Sequence, residues 1–368
     1  MDHVIIGNGP AGVIAAETLK RTDPGACVRL IGNEPEPPYS RMALPYLLAG
    51  NIDESGTHLR HGKDHWASRG IELAAGRVVK VDPGQRRVFL DDGSDMIFDT
   101  LLIATGSNAT RPPIPGMDVD GVENCWTLAD ARRIAAAARP GSSVVLMGAG
   151  FIGCIVLEAL VARDVDLTII EMEERMVPRM MDTTGGDMIR RWCEARGVNV
   201  LTSTRVEGLT KTNGRIELAF AGGGGVTADS VVCATGVKPN IGFFEASGIE
   251  TDLGVLVDHH LQTSVANIYA AGDVAQGPEF FTGKREIHAI QPTASEHGRI
   301  AALNMAGRAT RYGGSLSMNV LNTLGLVSSS FGQWMGVEGG EATAAADPDR
   351  NRYIKLAFRD DMLVGALA

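Results

Sequence analysis

The stretch SVVLMGAGFIGCIVLEAL, Ser143 to Leu160, decides the fold of this chain. VVLMG reads as a short buried strand, Gly148, Gly150 and Gly153 form a GxGxxG turn, and apolar residues at helical spacing follow. In such a turn the first glycine permits a sharp bend and the second lets a pyrophosphate approach the backbone. The third permits close packing of helix on strand. The stretch therefore predicts a dinucleotide-binding unit.

A second copy of the same pattern opens the chain. HVIIGNGPAGVIAAETL places the turn GNGPAG, residues 7–12, after a strand and before a helix whose first N–H groups favour an anion. Both copies have an acidic residue near the end of the next strand, Glu34 in CVRLIGNE and Glu171 in LTIIE. A carboxylate there accepts hydrogen bonds from a ribose 2′-hydroxyl and repels a 2′-phosphate. The Glu171 site is thus expected to prefer NADH over NADPH, a preference that Arg175 would weaken.

Composition limits the class of protein. With 368 residues, 44% hydrophobic and 21% charged, the chain is expected to be a soluble α/β protein of two or three domains. The net charge of −10 argues against a nucleic-acid partner. No apolar run reaches membrane-spanning length and no cationic signal region opens the chain, so a cytoplasmic location is expected. The five cysteines lack CxxC or zinc spacing, so they are predicted to be buried hydrophobic residues, and no metal site is predicted.

Three shorter motifs follow the same logic. DTLLIATGS and DSVVCATGVKPN each read as a strand that ends in a turn of small residues, at Gly106 and Gly236. NIYAAGDVA brings Gly272 and Asp273 to a loop, where the aspartate either accepts hydrogen bonds from a ribityl chain or caps a helix.

Taken together, GNGPAG, ATGS, GAGFIG, ATGVKPN and YAAGDVA resemble, in this order, the pyridine nucleotide–disulfide oxidoreductase superfamily of two-dinucleotide-binding flavoproteins. PPYSRMALPYLLAG and YGGSLSMNVLNTLGLVSSSFG are similar to segments of NADH:rubredoxin reductases, of the flavin part of nitrite reductases and of ferredoxin reductases. The resemblance implies FAD at the first loop and NAD(P)H at the second. It also implies an α/β fold with two Rossmann-like domains, the second inserted in the first.

The implied domains are an FAD-binding domain in two segments, 1–112 and 238–310, an NAD(P)-binding domain at 113–237, and a small C-terminal α+β interface domain at 311–368. Relatives usually continue further in that last domain, so either the terminus is naturally short or a tail is missing, and a homodimer through this domain stays an open expectation.

The resemblance also assigns cofactor residues. Those for FAD are Gly7, Gly9, Pro10, Ala11, Gly12, Glu34, Arg41, Val79, Ala104, Thr105, Gly106, Gly272, Asp273 and Pro292. Those for NADH are Gly148, Gly150, Phe151, Ile152, Gly153, Glu171 and Gly236. The helix that begins near Pro292 should direct its first amides at the flavin. His297 on that helix either forms a hydrogen bond near the flavin or is solvated.

The chain departs from its relatives at two places. Disulfide reductases carry CxxxxC, and some others a single cysteine, on the helix that faces the flavin, where this chain has Ser40, Met42 and Ala43. Thiol–disulfide exchange needs a thiolate and is therefore not expected. Many relatives also pair a lysine on that helix with a glutamate after the NAD loop, where this chain has Tyr46 and Ile155. Two hypotheses stay open: a branch that never needed the pair, or an altered nicotinamide site in which NADH reduces the flavin slowly or weakly.

The predicted function is therefore that of an FAD-dependent NADH oxidoreductase in which no side chain is catalytic. Its acceptor is predicted to be a small redox protein of the rubredoxin or ferredoxin type, bound at a basic patch formed by Lys284, Arg285 and Arg299. One alternative is an NADH oxidase that reduces dioxygen. Another is a flavin-binding electron-transfer or scaffold subunit of a larger complex.

Overall fold

The computed structural model describes residues 1–62, 64–244 and 247–368. Its α-helices are α1 (Pro10–Thr22), α2 (Leu44–Leu48), α3 (His65–Ser68), α4 (Leu128–Ala137), α5 (Phe151–Val161), α6 (Thr183–Glu194) and α7 (Gln291–Met305). Short 3-10 helices cover Arg41–Ala43, Glu54–Thr57, Gly272–Val274 and Pro348–Arg350. None of these helices, within the described ranges, has the length and apolarity that a bilayer crossing requires.

The strands are β1 (Asp2–Ile6), β2 (Cys27–Gly32), β3 (Ile71–Ala75), β4 (Val78–Asp82), β5 (Arg87–Leu90), β6 (Asp95–Ile97), β7 (Thr100–Ile103), β8 (Ser107–Ala109), β9 (Val122–Asn124), β10 (Ser143–Met147), β11 (Asp166–Ile170), β12 (Asn199–Leu201), β13 (Val206–Thr212), β14 (Arg215–Phe220), β15 (Gly225–Ala228), β16 (Ser230–Cys233), β17 (Val237–Pro239), β18 (Val255–Leu256), β19 (Ile268–Ala270), β20 (Ala275–Pro278), β21 (Arg285–Glu286), β22 (Met318–Thr323), β23 (Leu326–Gly332), β24 (Glu341–Asp347), β25 (Arg352–Arg359) and β26 (Met362–Leu367).

The chain divides into two compact units. The first contains residues 1–42, 54–108 and 238–316, and the second contains residues 43–53, 109–237 and 317–368. Each unit is therefore built from segments that are distant in sequence. The assignment of FAD to segments 1–112 and 238–310 and of NAD(P) to 113–237 stays a prediction, because this division concerns packing and not cofactors.

The first unit is built on a parallel sheet of order β19-β7-β1-β2-β3. Ile6 of β1 pairs with Ile31 of β2 on one side and with Ile103 of β7 on the other, so the three strands end at the same edge. These strands are almost wholly apolar and buried, as expected for a parallel sheet covered on both faces. Two small sheets, β4-β5-β6 and β18-β20-β21, belong to the same unit.

The second unit repeats this plan with a parallel sheet of order β12-β11-β10-β16-β9. Met147 of β10 pairs with Ile170 of β11 and with Cys233 of β16, so these strands also end together. Loops at the carboxyl edge of such a sheet are where α/β proteins bind ligands. A three-stranded antiparallel sheet, β13-β14-β15, lies in the same unit.

Residues 317–368 of the second unit form a five-stranded antiparallel sheet of order β22-β23-β26-β25-β24. β22 packs against α5. The Trp192 indole of α6 donates a hydrogen bond to the Leu324 carbonyl at 3.1 Å, and the Tyr353 hydroxyl donates one to Asp182 at 2.6 Å. The C-terminal sheet is thus fixed on the helices α5 and α6 that cover the second parallel sheet.

Two candidate dinucleotide-binding sites

The loop between β1 and α1 leaves room for an anion. Gly7 has φ +109°, and a side chain there would collide with the Ala104 carbonyl. Gly9 is the N-cap of α1, and no described atom lies within 4 Å of a β-carbon built on it. A side chain on Gly12 would collide with the Gly7 carbonyl. Each glycine therefore has the role that a pyrophosphate-binding loop requires, and the loop fits the dinucleotide FAD.

The acid after β2 is held by two neighbours. Glu34 accepts a hydrogen bond from the Tyr39 hydroxyl at 2.6 Å and forms an ion pair with Arg41 at 2.7 Å. A carboxylate has about four acceptor positions, so capacity for a ribose hydroxyl remains. The predicted residues Glu34 and Arg41 are therefore direct neighbours.

The loops after β7 and β19 also meet at this edge. Thr105 and Asn240 exchange two hydrogen bonds, at 3.2 Å and 2.9 Å. Asp273 accepts a hydrogen bond from the Ser107 hydroxyl at 2.8 Å, and burial raises the pKa of this carboxyl. The N-cap of the 3-10 helix at Gly272–Val274 is Ala271, so the alternative that Asp273 caps a helix is wrong.

Helix α7 begins at Gln291, and the predicted Pro292 lies in its first turn. The Ser40 hydroxyl donates a hydrogen bond to Gln291 Oε1 at 2.6 Å. His297 further along is only 3% exposed and packs edge-on against Tyr312, so the solvated alternative is wrong. Neither ring nitrogen has a hydrogen-bond partner among the described residues, and burial lowers the pKa of His297 to about 4.

Val79, the remaining predicted FAD residue, lies on β4 with 46% of its surface exposed. All fourteen predicted FAD residues fall in the first unit. All seven predicted NADH residues fall in the second.

The loop between β10 and α5 repeats the first loop closely. Gly148 has φ +100°, and a side chain there would collide with Ala234. A side chain on Gly153 would collide with Gly148. Gly150, the N-cap of α5, has φ −73° and ψ −172°, against −74° and −173° at Gly9. A β-carbon at Gly150 would have no described atom within 4 Å. This loop therefore also leaves the space that a pyrophosphate needs.

The second loop opens into a cleft of about 510 Å³, here called the α5 cleft. That volume lies within the range of small-ligand sites. Its lining residues are Thr110, Pro112, Ile114, Met147, Gly148, Gly150, Phe151, Ile152, Ile170, Glu171, Met172, Glu173, Val177, Pro178, Arg179, Met180, Thr204, Arg205, Val206, Ala234, Thr235, Gly236, Val237 and Asn319. Six of the seven predicted NADH residues line it, and Gly153 packs beneath the loop.

Glu171 is a buried carboxylate in the wall of this cleft. It accepts hydrogen bonds from the backbone N–H of Ala149 at 2.7 Å and of Glu173 at 2.9 Å. Arg175 directs its guanidinium at the carbonyls of Met181 and Pro178, at 3.0 Å and 3.3 Å, and pairs with Glu174. The guanidinium of Arg175 is thus engaged by its own loop and by Glu174, and its effect on the preference for NADH stays a prediction.

The two residues that replace the lysine and glutamate of many relatives both lie in the second unit. Tyr46 on α2 is 58% exposed, and Ile155 on α5 is half-buried. Helix α2 packs against α5, and Arg163 donates a hydrogen bond to the Leu48 carbonyl at 3.0 Å. The consequence for flavin reduction stays a prediction.

All five cysteines are free thiols. Burial raises the pKa of Cys125 and of Cys193 to about 12, and it raises the pKa of Cys154 as well. The thiols of Cys125, Cys154 and Cys193 are therefore protonated at neutral pH. In the part of the chain that the structure describes, no group of three His, Cys, Asp or Glu side chains is placed to bind a metal ion.

Sequence reasoning missed several cleft residues. Thr204 and Arg205 follow β12, an edge strand of the parallel sheet, a position that the motif order could have indicated. Arg179 belongs to the loop after β11, and Asn319 comes from the distant C-terminal sheet. For Asn319 the sequence carries no local signal, because only the tertiary fold brings it to the cleft.

Two parallel sheets, each with a pyrophosphate-binding loop at its carboxyl edge, define a protein that binds two dinucleotides. The chain belongs to the pyridine nucleotide-disulphide oxidoreductase family, whose model matches residues 1–298. The predicted fold class and superfamily are thereby confirmed.

Two curated proteins and one solved structure illustrate the similarity. The chain is 32% identical over 98% of its length, and 86% of the other chain, to the NADH-dependent phenylglyoxylate dehydrogenase subunit epsilon of Aromatoleum evansii. It is 32% identical over 85% of its length, and 74% of the other chain, to rhodocoxin reductase of Rhodococcus erythropolis. The structure of a NAD-dependent persulfide reductase from A. fulgidus matches the whole chain and 73% of its own, with 27% identity and a TM-score of 0.92.

Proposed function

We propose that this FAD- and NADH-dependent oxidoreductase passes electrons from NADH to a small redox protein, with no redox-active disulfide between flavin and acceptor. When bound, FAD supplies the chemistry of accepting a hydride from a nicotinamide and releasing electrons singly. Per turnover, NADH and two oxidised one-electron carriers give NAD⁺, two reduced carriers and one proton. The observation that carries the proposal is the pair of open glycine loops, at Gly9 and Gly150, each followed by its acid.

The residues themselves bind and orient the cofactors. The first turns of α1 and α5 would donate backbone hydrogen bonds to the two pyrophosphates. Glu34 and Glu171 would accept hydrogen bonds from ribose hydroxyls, and Asp273 from the ribityl chain. Because Glu171 is held by neutral backbone amides, its charge would disfavour the 2′-phosphate of NADPH.

The absence of a redox-active disulfide is supported by the positions of the thiols. Ser40, Met42 and Ala43 occupy the segment where disulfide reductases carry cysteines, and the buried thiols have raised pKa values. A thiolate is needed for exchange, and burial disfavours it.

A small redox protein as acceptor is supported by the relative named rhodocoxin reductase. The cations predicted to receive an acidic carrier, Lys284, Arg285 and Arg299, are all exposed. They would steer association even though the whole chain is negative.

Anaerobic titration with NADH tests the proposal. One NADH per FAD should bleach the flavin, whereas a redox-active disulfide would take up a second equivalent. A one-electron carrier should then be reduced in a ratio of two per NADH. Absence of bleaching would refute the proposal. Bleaching followed by reoxidation with dioxygen alone, and with peroxide as product, would favour the NADH oxidase.

A second candidate is an electron-transfer subunit of a larger complex. One observation favours it, because the relative matched over 98% of this chain is named as a subunit of a dehydrogenase. Size-exclusion chromatography of protein isolated from its native cells distinguishes the two. A free, NADH-active flavoprotein contradicts the subunit role.

A further inference from the structure

We infer that Asn319, in the C-terminal sheet, is a binding residue for the pyrophosphate of NADH, an inference that rests on the proposed function. The other residues lining the α5 cleft fall between Thr110 and Val237, whereas Asn319 lies about 80 residues later, on β22. The C-terminal sheet therefore forms part of the wall of the NADH site.

Packing explains why Asn319 reaches this cleft. β22 packs on α5, and the lining residues that α5 contributes, Phe151 and Ile152, belong to its first turn. The sheet is held there by the hydrogen bond from the Trp192 indole to the Leu324 carbonyl. Asn319 thus shares the cleft with the helix end whose N–H groups favour an anion.

The chemistry of the side chain suits a phosphate oxygen. Asn319 is half-buried, and among the described residues its Nδ2 makes one long hydrogen bond, 3.5 Å to Ser330 Oγ across the register pair of β22 and β23. An amide NH₂ carries two hydrogens, so one donor remains for a ligand. It is neutral, so its approach to the first turn of α5 is not opposed by charge, and it adds an amide donor to a cleft whose lining also includes Arg179 and Arg205.

The same strand provides a matched control. Asn322 lies outside the α5 cleft and accepts a hydrogen bond from the Gly325 N–H at 3.0 Å through Oδ1. Asn322→Asp keeps that acceptor and adds the same charge to the same strand as Asn319→Asp. A difference in ligand affinity between the two variants would therefore result from the position of the new charge, and not from the change in net charge or from the strand that carries it.

The experiment measures binding of NAD⁺ and of ADP-ribose to the FAD-loaded protein by calorimetry. ADP-ribose retains the pyrophosphate and lacks nicotinamide. Asn319→Ala should weaken both ligands about tenfold, and Asn319→Asp about a hundredfold because a carboxylate repels the anion. Asn322→Asp should change neither by more than about twofold. Flavin content and melting temperature should match the wild type, and if Asn319→Asp does not fold, Asn319→Ala still gives the test.

Two results would overturn the inference and leave the proposed function intact. The first is wild-type affinity in both Asn319 variants. The second is loss of NAD⁺ affinity with ADP-ribose unchanged, which would move the contact to the nicotinamide. Failure of the wild type to bind either ligand would instead overturn the proposed function, and the inference with it.

Discussion

Gly150→Ala should abolish NADH binding without harming the fold. The φ of −73° and ψ of −172° at Gly150 are ordinary extended values for alanine, and the new β-carbon would meet no described atom within 4 Å. Glycine-to-alanine changes at compatible positions stabilise proteins by about 0.4–1 kcal/mol. The methyl group would, however, fill the space reserved for the pyrophosphate. If two charge-assisted hydrogen bonds of about 1.5–3 kcal/mol each are lost, the Kd rises at least about a hundredfold.

The assay compares NAD⁺ affinity, flavin content and melting temperature, with Gly9→Ala as the matched variant. Because Gly9 and Gly150 share their backbone angles, Gly9→Ala should release FAD while the NADH site stays intact, and Gly150→Ala should do the reverse. Wild-type NAD⁺ affinity in Gly150→Ala would refute the assignment of this loop. An unfolded Gly150→Ala would refute the claim that the β-carbon enters open space.

Three further predictions concern nearby groups. Gly153→Ala should lower the free energy of unfolding by about 1–3 kcal/mol, because its methyl group meets the Gly148 carbonyl; an unchanged melting temperature would contradict this. Glu171→Gln should raise the ratio of kcat/KM for NADPH to that for NADH about tenfold, since a like charge is removed; an unchanged ratio in steady-state assays would exclude the proposed role. His297 has its pKa lowered from 6.5 to about 4, so its neutral form contributes stability that is complete above pH 6.5 and is lost as the pH falls toward 4. His297→Phe should therefore lose less stability than the wild type between pH 7 and pH 4.5 in urea unfolding, and equal losses would contradict the prediction.

Much of the fold was predictable because the parallel strands are short apolar runs that end in glycine turns. β1 and β10 each lead directly into GxGxxG, and the helix follows within four residues. The terminal hairpin of β25 and β26 is likewise local, since its strands are joined through Asp360 and Asp361 at positive φ. Local sequence suffices for such features because strand, turn and cap residues act on their immediate neighbours.

The site was less predictable where contacts cross long distances. Asn319 reaches the α5 cleft only because a sheet from the end of the chain packs on α5. Burial of His297 depends on Tyr312, which no helical periodicity indicates. Arg175 is predicted from sequence as a cation beside Glu171, yet its guanidinium turns to the carbonyls of its own loop. The missing information was tertiary packing at Asn319 and His297, and side-chain orientation at Arg175.

The two acids illustrate how one loop design gives two different binding sites. Glu34 is paired with the cation Arg41 and with a tyrosine hydroxyl, so much of its charge is offset on the protein. Glu171 accepts hydrogen bonds from the backbone amides of Ala149 and Glu173, which are neutral donors, so we expect less of its charge to be offset. A paired carboxylate forms part of a fixed network, which suits a cofactor that stays bound. We expect a carboxylate held by backbone amides to disfavour a 2′-phosphate and to accept ribose hydroxyls, which would suit a substrate that must be chosen and released in every cycle.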